Sequence, residues 1–204
     1  MPATLSAFRP VNVRLLCAVL IAAAVVFGTA FTPAIAQDQA AESAIGGRFM
    51  LENHNGKIVL DQDFLGKYML ITFGYTYCPD VCPTNLVNMS TALEQLGDKA
   101  DQIAPIFVTV DPERDTAERL LDYVKNFDER LIGLTGPQEM IDSIKSRYKV
   151  FSEIHRPQGW KNGDYTVDHT ASIYLMSKEG KFLVKFAHGM DPVEMAKRIS
   201  DFME

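Results

Sequence analysis

Runs of apolar residues, and the turns that break them, predict the elements of this chain. Leu15 to Phe31 (LLCAVLIAAAVVFGTAF) passes without a single charge. Arg48 to Leu60 (RFMLENHNGKIVL) holds two short alternating runs around Asn55-Gly56, a pair suited to a tight hairpin turn. Tyr68–Tyr75 (YMLITFGY) and Ile103–Val110 (IAPIFVTV) are continuous apolar runs of strand length, the pattern of strands buried on both faces. Between them Leu86, Met89, Leu93 and Leu96 recur at helical spacing, so Asn85–Leu96 predicts a helix, and Gly97 stops it. Helical patterns return at Thr116–Phe127, with Asp115 as N-cap, and at Gln138–Tyr148. Two final strands, Ser172–Met176 and Lys181–Ala187, are joined by Ser177-Lys178-Glu179-Gly180, and Pro192–Glu204 closes as a helix. Residues 156–166 (RPQGWKNGDYT) form a surface loop by composition, with the only tryptophan, Trp160, packed on the body.

Strand, helix, strand, helix, then a hairpin and a last helix is the order of the thioredoxin fold. A parallel βαβ half comes first and an antiparallel ββα half second. The expected class is therefore α/β, thioredoxin-like, with an added N-terminal β-hairpin and an insertion around residues 131–165.

The charge-free run changes the picture of where the chain works. Residues 1–14 hold Arg9 and Arg14 and no acid, and Ala34-Ile35-Ala36 precedes a polar stretch. That is the pattern of a secretory signal cleaved after Ala36, or of a retained membrane anchor. Seventeen uncharged residues sit at the short end of what crosses a bilayer, about 17–25. In either case the arginines precede the apolar run, which puts the remainder outside the cytoplasm. The expected place is the periplasmic side of a bacterial inner membrane, anchored or released. A mitochondrial presequence has similar flanks, so the intermembrane space is the alternative. Residues 37–47 then read as a tether and 48–204 as one domain. Cys17 comes too early in the apolar run to be a lipoprotein cysteine and reads as a small buried residue.

The full chain of 204 residues carries a net charge of −6 at 47% hydrophobic composition. It lacks the basic footprint of a general nucleic-acid binder. Without residues 1–36, Cys78 and Cys82 are the only cysteines. They follow the first core strand, precede the first core helix and sit four apart, so on a helical turn their sulfurs share a face. Pro79 and Pro83 stiffen the loop by fixing φ. A helix N-terminus favours thiolate over thiol, and thiolates are both nucleophiles and metal ligands. Such a pair is a structural disulfide, a redox disulfide or a soft-metal site. A disulfide closing so short a loop constrains the unfolded chain little, which counts against the first.

A third group separates redox from metal chemistry. His54 lies in the hairpin turn and His188 beside Gly189, and both read as ordinary satisfied groups; His155 is ambiguous. His169 differs, because Val167-Asp168-His169-Thr170 comes just before the penultimate strand. In a thioredoxin fold that loop faces the cysteines and normally carries a cis-proline, yet no proline occurs from Gln158 to Asp191. Two thiolates and one imidazole suit copper, whereas carboxylate-loving metals want other ligands.

Three motifs now carry a resemblance: Phe73-Gly74-Tyr75-Thr76-Tyr77-Cys78-Pro79-Asp80-Val81-Cys82-Pro83, Val110-Asp111-Pro112-Glu113-Arg114-Asp115-Thr116, and Asp164-Tyr165 through Val167-Asp168-His169-Thr170. In this order they resemble the Sco (SenC) family over about residues 40–204. Members of that family are membrane-tethered copper chaperones that help assemble the dinuclear copper centre of cytochrome c oxidase. The resemblance implies copper, as Cu(I) or Cu(II), held by Cys78, Cys82 and His169, with Cys78 and Cys82 joined as a disulfide when oxidised. It implies as partners the copper-accepting subunit of the oxidase and other copper chaperones or thiol reductants.

Asp111 ends the second core strand, within reach of the cysteine loop, or else serves as a turn. Asp168 is placed to orient the His169 imidazole from behind, or else to cap the loop. Phe73, Tyr75 and Tyr77 read as packing, and Met89, Met140 and Met195 lie at helix-core spacings. A thiol–disulfide oxidoreductase that reduces acceptor cysteines is the competing function, against which the missing cis-proline and the three-residue spacing count. A peroxiredoxin needs threonine three residues before its cysteine, where this chain has Tyr75. Structural zinc needs a fourth ligand that only His155 or His188 could supply.

Overall fold

A computed structural model describes residues 45–156 and 165–204. The leader with Cys17, most of the tether and the Trp160 loop fall outside the described residues. Within them no helix is long and apolar enough to cross a membrane.

The first hairpin forms as expected, from β1 (Met50–Asn53) and β2 (Ile58–Leu60). Asn53 Oδ1 builds its turn by accepting the N–H groups of Asn55 (2.9 Å) and Lys57 (3.1 Å), and Gly56 takes the positive φ of +75° that the reversal needs. Next come β3 (Tyr68–Gly74), α1 (Val81–Leu96), β4 (Ile103–Thr109) and α2 (Ala117–Val124). The chain continues through β5 (Ile132–Thr135), α3 (Gln138–Tyr148), β6 (Ser152–His155) and β7 (Thr166–His169). It ends with β8 (Ile173–Met176), β9 (Phe182–Phe186) and α4 (Pro192–Asp201).

Seven strands make the main sheet, in the order β2-β1-β5-β4-β3-β8-β9. β3, β4 and β5 run parallel, while β8 is antiparallel to β3 and β9 to β8. The stretch β4-β3-β8-β9 is the thioredoxin arrangement read from the sequence. β4 is buried along its whole length although it contains Pro105. β5 pairs with β4 only from Ile106 on, so Pro105 lies where β4 has a partner on one side and its missing N–H breaks no ladder. α1 packs against α4, α2 against β5 and α3 against β1.

The structure departs from the sequence reading in several places. The region treated as an insertion supplies β5, which lies inside the main sheet and joins the first hairpin to the core through β1. At four residues including Gly133, β5 is too short to show periodicity; a Cβ at Gly133 would meet Val124 and Leu120 of α2 at 3.1–3.2 Å. The same region also supplies β6, which pairs with β7 just beyond it in a separate two-stranded ribbon. α1 begins at Val81, earlier than its apolar repeat, and so takes Cys82 into its first turn. The cap of α2 is Thr116, whose Oγ1 accepts the Arg119 N–H at 3.2 Å; Asp115 is instead fully buried behind it. Met89 and Met195 are core residues as expected, but Met140 is 39% exposed on α3.

Candidate metal centre

β3 delivers the chain to the cysteine loop, and Cys82 enters α1 one residue after its start. The side chain of Asp80, the N-cap of α1, makes no capping bond. The Cys78 sulfur takes that place and accepts the Cys82 N–H at 3.4 Å. One of the unpaired amides at the helix start is thereby satisfied by sulfur, which the helix dipole favours in its charged form. Cys82 is buried and Cys78 half-buried, and both are free thiols.

β7 brings the third donor from 87 residues further along: Cys82 Sγ lies 3.2 Å from His169 Nε2. The three donor atoms of Cys78, Cys82 and His169 all fall within 4.8 Å of one another, the one such group of histidine, cysteine or carboxylate ligands among the described residues. His169 Nδ1 lies 3.0 Å from the Thr170 carbonyl, which can only accept. Nδ1 therefore carries the hydrogen, and the Nε2 lone pair faces the sulfurs.

Asp168 does not orient this imidazole. Neighbours on a strand point to opposite faces, and its carboxylate pairs with His155 at 3.0 Å on the solvent side of the ribbon. The Thr170 carbonyl has that orienting place. Asp111 is buried, and its carboxylate serves Tyr165, whose OH donates at 2.6 Å, and the Arg114 guanidinium, away from the sulfurs. His188 Nδ1 meets Asn85 Oδ1 at 2.8 Å and His54 Nδ1 accepts the Gly133 N–H at 3.0 Å, so neither they nor His155 adds a fourth ligand. Structural zinc thus lacks its closed tetrahedron among the described residues. Tyr75 is buried edge-on to the His169 ring at 6.0 Å, Phe73 lies in the core, and Tyr77 is exposed beneath the guanidinium groups of Arg114 and Arg119.

With the site assembled, comparison with known proteins has a clear result. The SCO1/SenC family model matches residues 37–204. The chain belongs to the SCO1/SenC family. It is 38% identical over 159 residues to Protein sco1 of Schizosaccharomyces pombe, and 38% identical over 161 residues to the human Protein SCO1 homolog, mitochondrial. Each alignment takes in 78% of this chain but only 60% and 53% of those proteins, so the chain spans little more than half the length of these curated relatives. The structure of Bradyrhizobium japonicum ScoI with copper bound is 43% identical, with a TM-score of 0.72, and covers 78% of this chain and 99% of that one. The thioredoxin-like architecture is thus shared with that Sco structure.

Two residues of this Sco site escaped the sequence reading. Gly74 ends β3 directly beneath Cys82, where a Cβ would stand 2.6 Å from Cys82 Sγ and 2.8 Å from the Phe107 ring. Only glycine lets the sulfur settle there. Asn85, buried in α1, donates from Nδ2 to the Ala171 carbonyl at 2.9 Å and so ties the cysteine helix to the chain just past His169. Glycine at a strand end before a cysteine loop, and a polar residue on the face that Cys82 shares with Leu86 and Met89, were the available signals.

The two sulfurs of this Sco chain differ electrostatically. A hydrogen bond from the Cys82 thiol holds Cys78 well below the ordinary thiol range, helped by the Asp80 and Cys82 amides against the opposing effect of burial. Cys82 is pushed up, as the donor of that bond and by burial. Iodoacetamide is therefore expected to label Cys78 at a rate nearly independent of pH between about 5 and 8, because its thiolate is already formed. Cys82 stays protected. Mass spectrometry of the labelled sites checks this, and a Cys78 rate rising tenfold per pH unit would contradict it.

Proposed function

We propose that this Sco protein binds one copper ion through Cys78 Sγ, Cys82 Sγ and His169 Nε2 and hands it to the copper-accepting subunit of cytochrome c oxidase. The observation that carries this reading is the convergence of two sulfurs and an imidazole whose Nε2 lone pair faces them. Two soft sulfurs and one nitrogen suit copper, and the copper-bound ScoI relative supports the same choice. Cys78 stands ready as thiolate, while Cys82 must shed its proton, so loading releases a proton. Cys78 and His169 are only half-buried and Cys82 is buried. An incoming thiolate of the acceptor therefore meets the outer two donors first, while Cys82 retains the ion from below. Exchange in that order leaves no bare ion at any stage. Oxidation of the pair to a disulfide removes both sulfur donors, which makes loading depend on the local thiol poise.

The sequence pattern of a leader over residues 1–36, a tether to residue 47 and a domain over 48–204 supports a site of work at the outer face of a bacterial inner membrane. The mitochondrial intermembrane space is the alternative, in keeping with the human relative's name. The test is copper stoichiometry and affinity of the reduced full chain in mild detergent, against His169→Ala and Cys78→Ser. One tightly held copper is expected, weakened at least about 100-fold by either substitution, since each removes a direct donor.

The acidic Cys78 also favours a second reading, reduction of an acceptor disulfide. Cys78 thiolate attacks one sulfur, forming a mixed disulfide and releasing the other as thiolate. Cys82, deprotonated in the step, then closes on Cys78 and frees the second acceptor thiolate, so two electrons pass to the acceptor. Copper retention that is indifferent to His169→Ala would favour this reading over the first.

A further inference from the structure

β7 pairs only with β6, in a ribbon that makes no ladder with the main sheet. A two-stranded ribbon is marginal on its own in water, so the position of His169 must be set by contacts other than strand pairing. Beyond its C-terminal end, Asn85 grips the Ala171 carbonyl. At its N-terminal end stands Tyr165. Tyr165, Val167 and His169 alternate onto the same face of the strand, and the first two are 6% and 4% exposed.

Tyr165 is held three ways by the loop that follows β4. Its OH donates to Asp111 Oδ1 at 2.6 Å. Arg114 Nη1 donates to its carbonyl at 3.0 Å, and the same guanidinium lies over its ring, 3.5 Å from the centroid. Arg114 in turn pairs with Asp111, whose own N–H donates to Thr109 Oγ1 at 2.9 Å at the end of β4. Backbone and side chain of one residue are therefore bound to a single ion pair, its carboxylate buried and its guanidinium half-buried, itself seated on the central sheet. A tyrosine that merely filled space would need neither its hydroxyl nor its carbonyl so engaged.

The geometry points to Tyr165, clasped by Asp111 and Arg114, as a positioning residue for His169: the clasp fixes the far end of the strand that ends in the imidazole and so pre-sets the third donor against the two sulfurs. This rests on the reading of His169 as a ligand. An imidazole held in place before the ion arrives spares the ordering that binding would otherwise require. Arg114 of the clasp also lies over Tyr77, next to Cys78, 4.8 Å from the ring centroid, so the part of the effect that passes through His169 is what a double-mutant cycle isolates.

Tyr165→Phe removes one oxygen and keeps the ring. In the reduced full chain, competition against a chromogenic Cu(I) chelator is expected to show affinity about 10-fold weaker than wild type, the scale on which supporting residues act on metal sites. In a His169→Ala background the same substitution is expected to change affinity less than about twofold, because the coupled part of a double-mutant cycle vanishes when its mediator is removed. In the copper-free protein, the His169 ring signals in NMR are expected to shift and broaden, while Cys78 alkylation stays at the wild-type rate. Unchanged affinity on Tyr165→Phe overturns the clasp, as does an equal loss in both backgrounds, which would mark a general structural defect. If Tyr165→Phe does not fold, Asp111→Asn takes its place in the same cycle, since it keeps an acceptor for the hydroxyl but loses the charge pair. Coupled loss through His169 then supports the clasp, and unchanged affinity or an equal loss in both backgrounds overturns it. A His169→Ala protein as tight as wild type would instead sink the ligand assignment itself, whatever Tyr165 does.

Discussion

Gly74→Ala is expected to weaken copper binding by about 10- to 100-fold, although the residue donates nothing to the ion. The added Cβ would sit 2.6 Å from Cys82 Sγ and 2.8 Å from the Phe107 ring. Neither neighbour can yield easily. Phe107 lies fully buried in β4, and Cys82 is held in the first turn of α1. The sulfur must therefore move away, taking the helix start and the Cys82 N–H that supports Cys78 with it. Overpacking of this kind costs about 1–3 kcal/mol of stability. Chelator competition and a urea titration on the same protein check both parts. Wild-type affinity together with wild-type stability would show that the strand end can relax around a methyl group.

Asp115→Ala is expected to be the most damaging single change to the fold, at about 3–5 kcal/mol. The carboxylate is completely buried and accepts from the Thr76 N–H (3.0 Å), the Thr76 hydroxyl (2.7 Å) and the Thr109 hydroxyl (2.7 Å). Its own carbonyl accepts from Thr135 Oγ1 at 2.8 Å. One residue thus gathers the ends of β3, β4 and β5 at the start of α2, and alanine strands three buried donors without an acceptor. The urea midpoint reads the loss, and a shift worth less than about 1 kcal/mol would show that water replaces the carboxylate. The pH dependence has a definite sign. Burial raises the Asp115 carboxyl above its ordinary value, so its contribution is fully present below the unfolded value and fades as the pH rises through the folded one. Cys78, held low, acts the other way: its contribution is present above the ordinary thiol value and fades as the pH falls through the folded one.

The long apolar runs of β3 and β4 were legible because both faces are buried, which leaves a continuous hydrophobic signal. The cysteine pair was legible because a loop between such a strand and a helix is a known place for chemistry. β5 was not, since four residues around a glycine carry no period, and only pairing with β4 and β1 makes them a strand. The β6–β7 ribbon escaped for a different reason. Three residues of β6 are exposed, Ile154 among them, so no alternation announces it. His169 was singled out by its place in the fold order and the structure brings it to the sulfurs, but the orienting role offered to Asp168, with loop capping as the alternative, falls to the Thr170 carbonyl. Adjacency in sequence suggested contact, whereas the pleat turns adjacent side chains apart and leaves the Thr170 carbonyl in reach. Asp115 looked like a cap because it stands next to the helix, yet Thr116 caps and Asp115 braces the core. Gly74 matters only through what lies above it, which no single-residue signal reveals.

Cys78 and Cys82 belong to one short stretch of chain, while the imidazole that meets them comes from 87 residues beyond Cys82. An ion shared between them closes that long loop, and a closed loop shrinks the unfolded ensemble as any covalent staple does. In the delivery role proposed above, this staple, unlike a disulfide, would leave with the cargo, and each handover would also untie two distant parts of the donor's own chain.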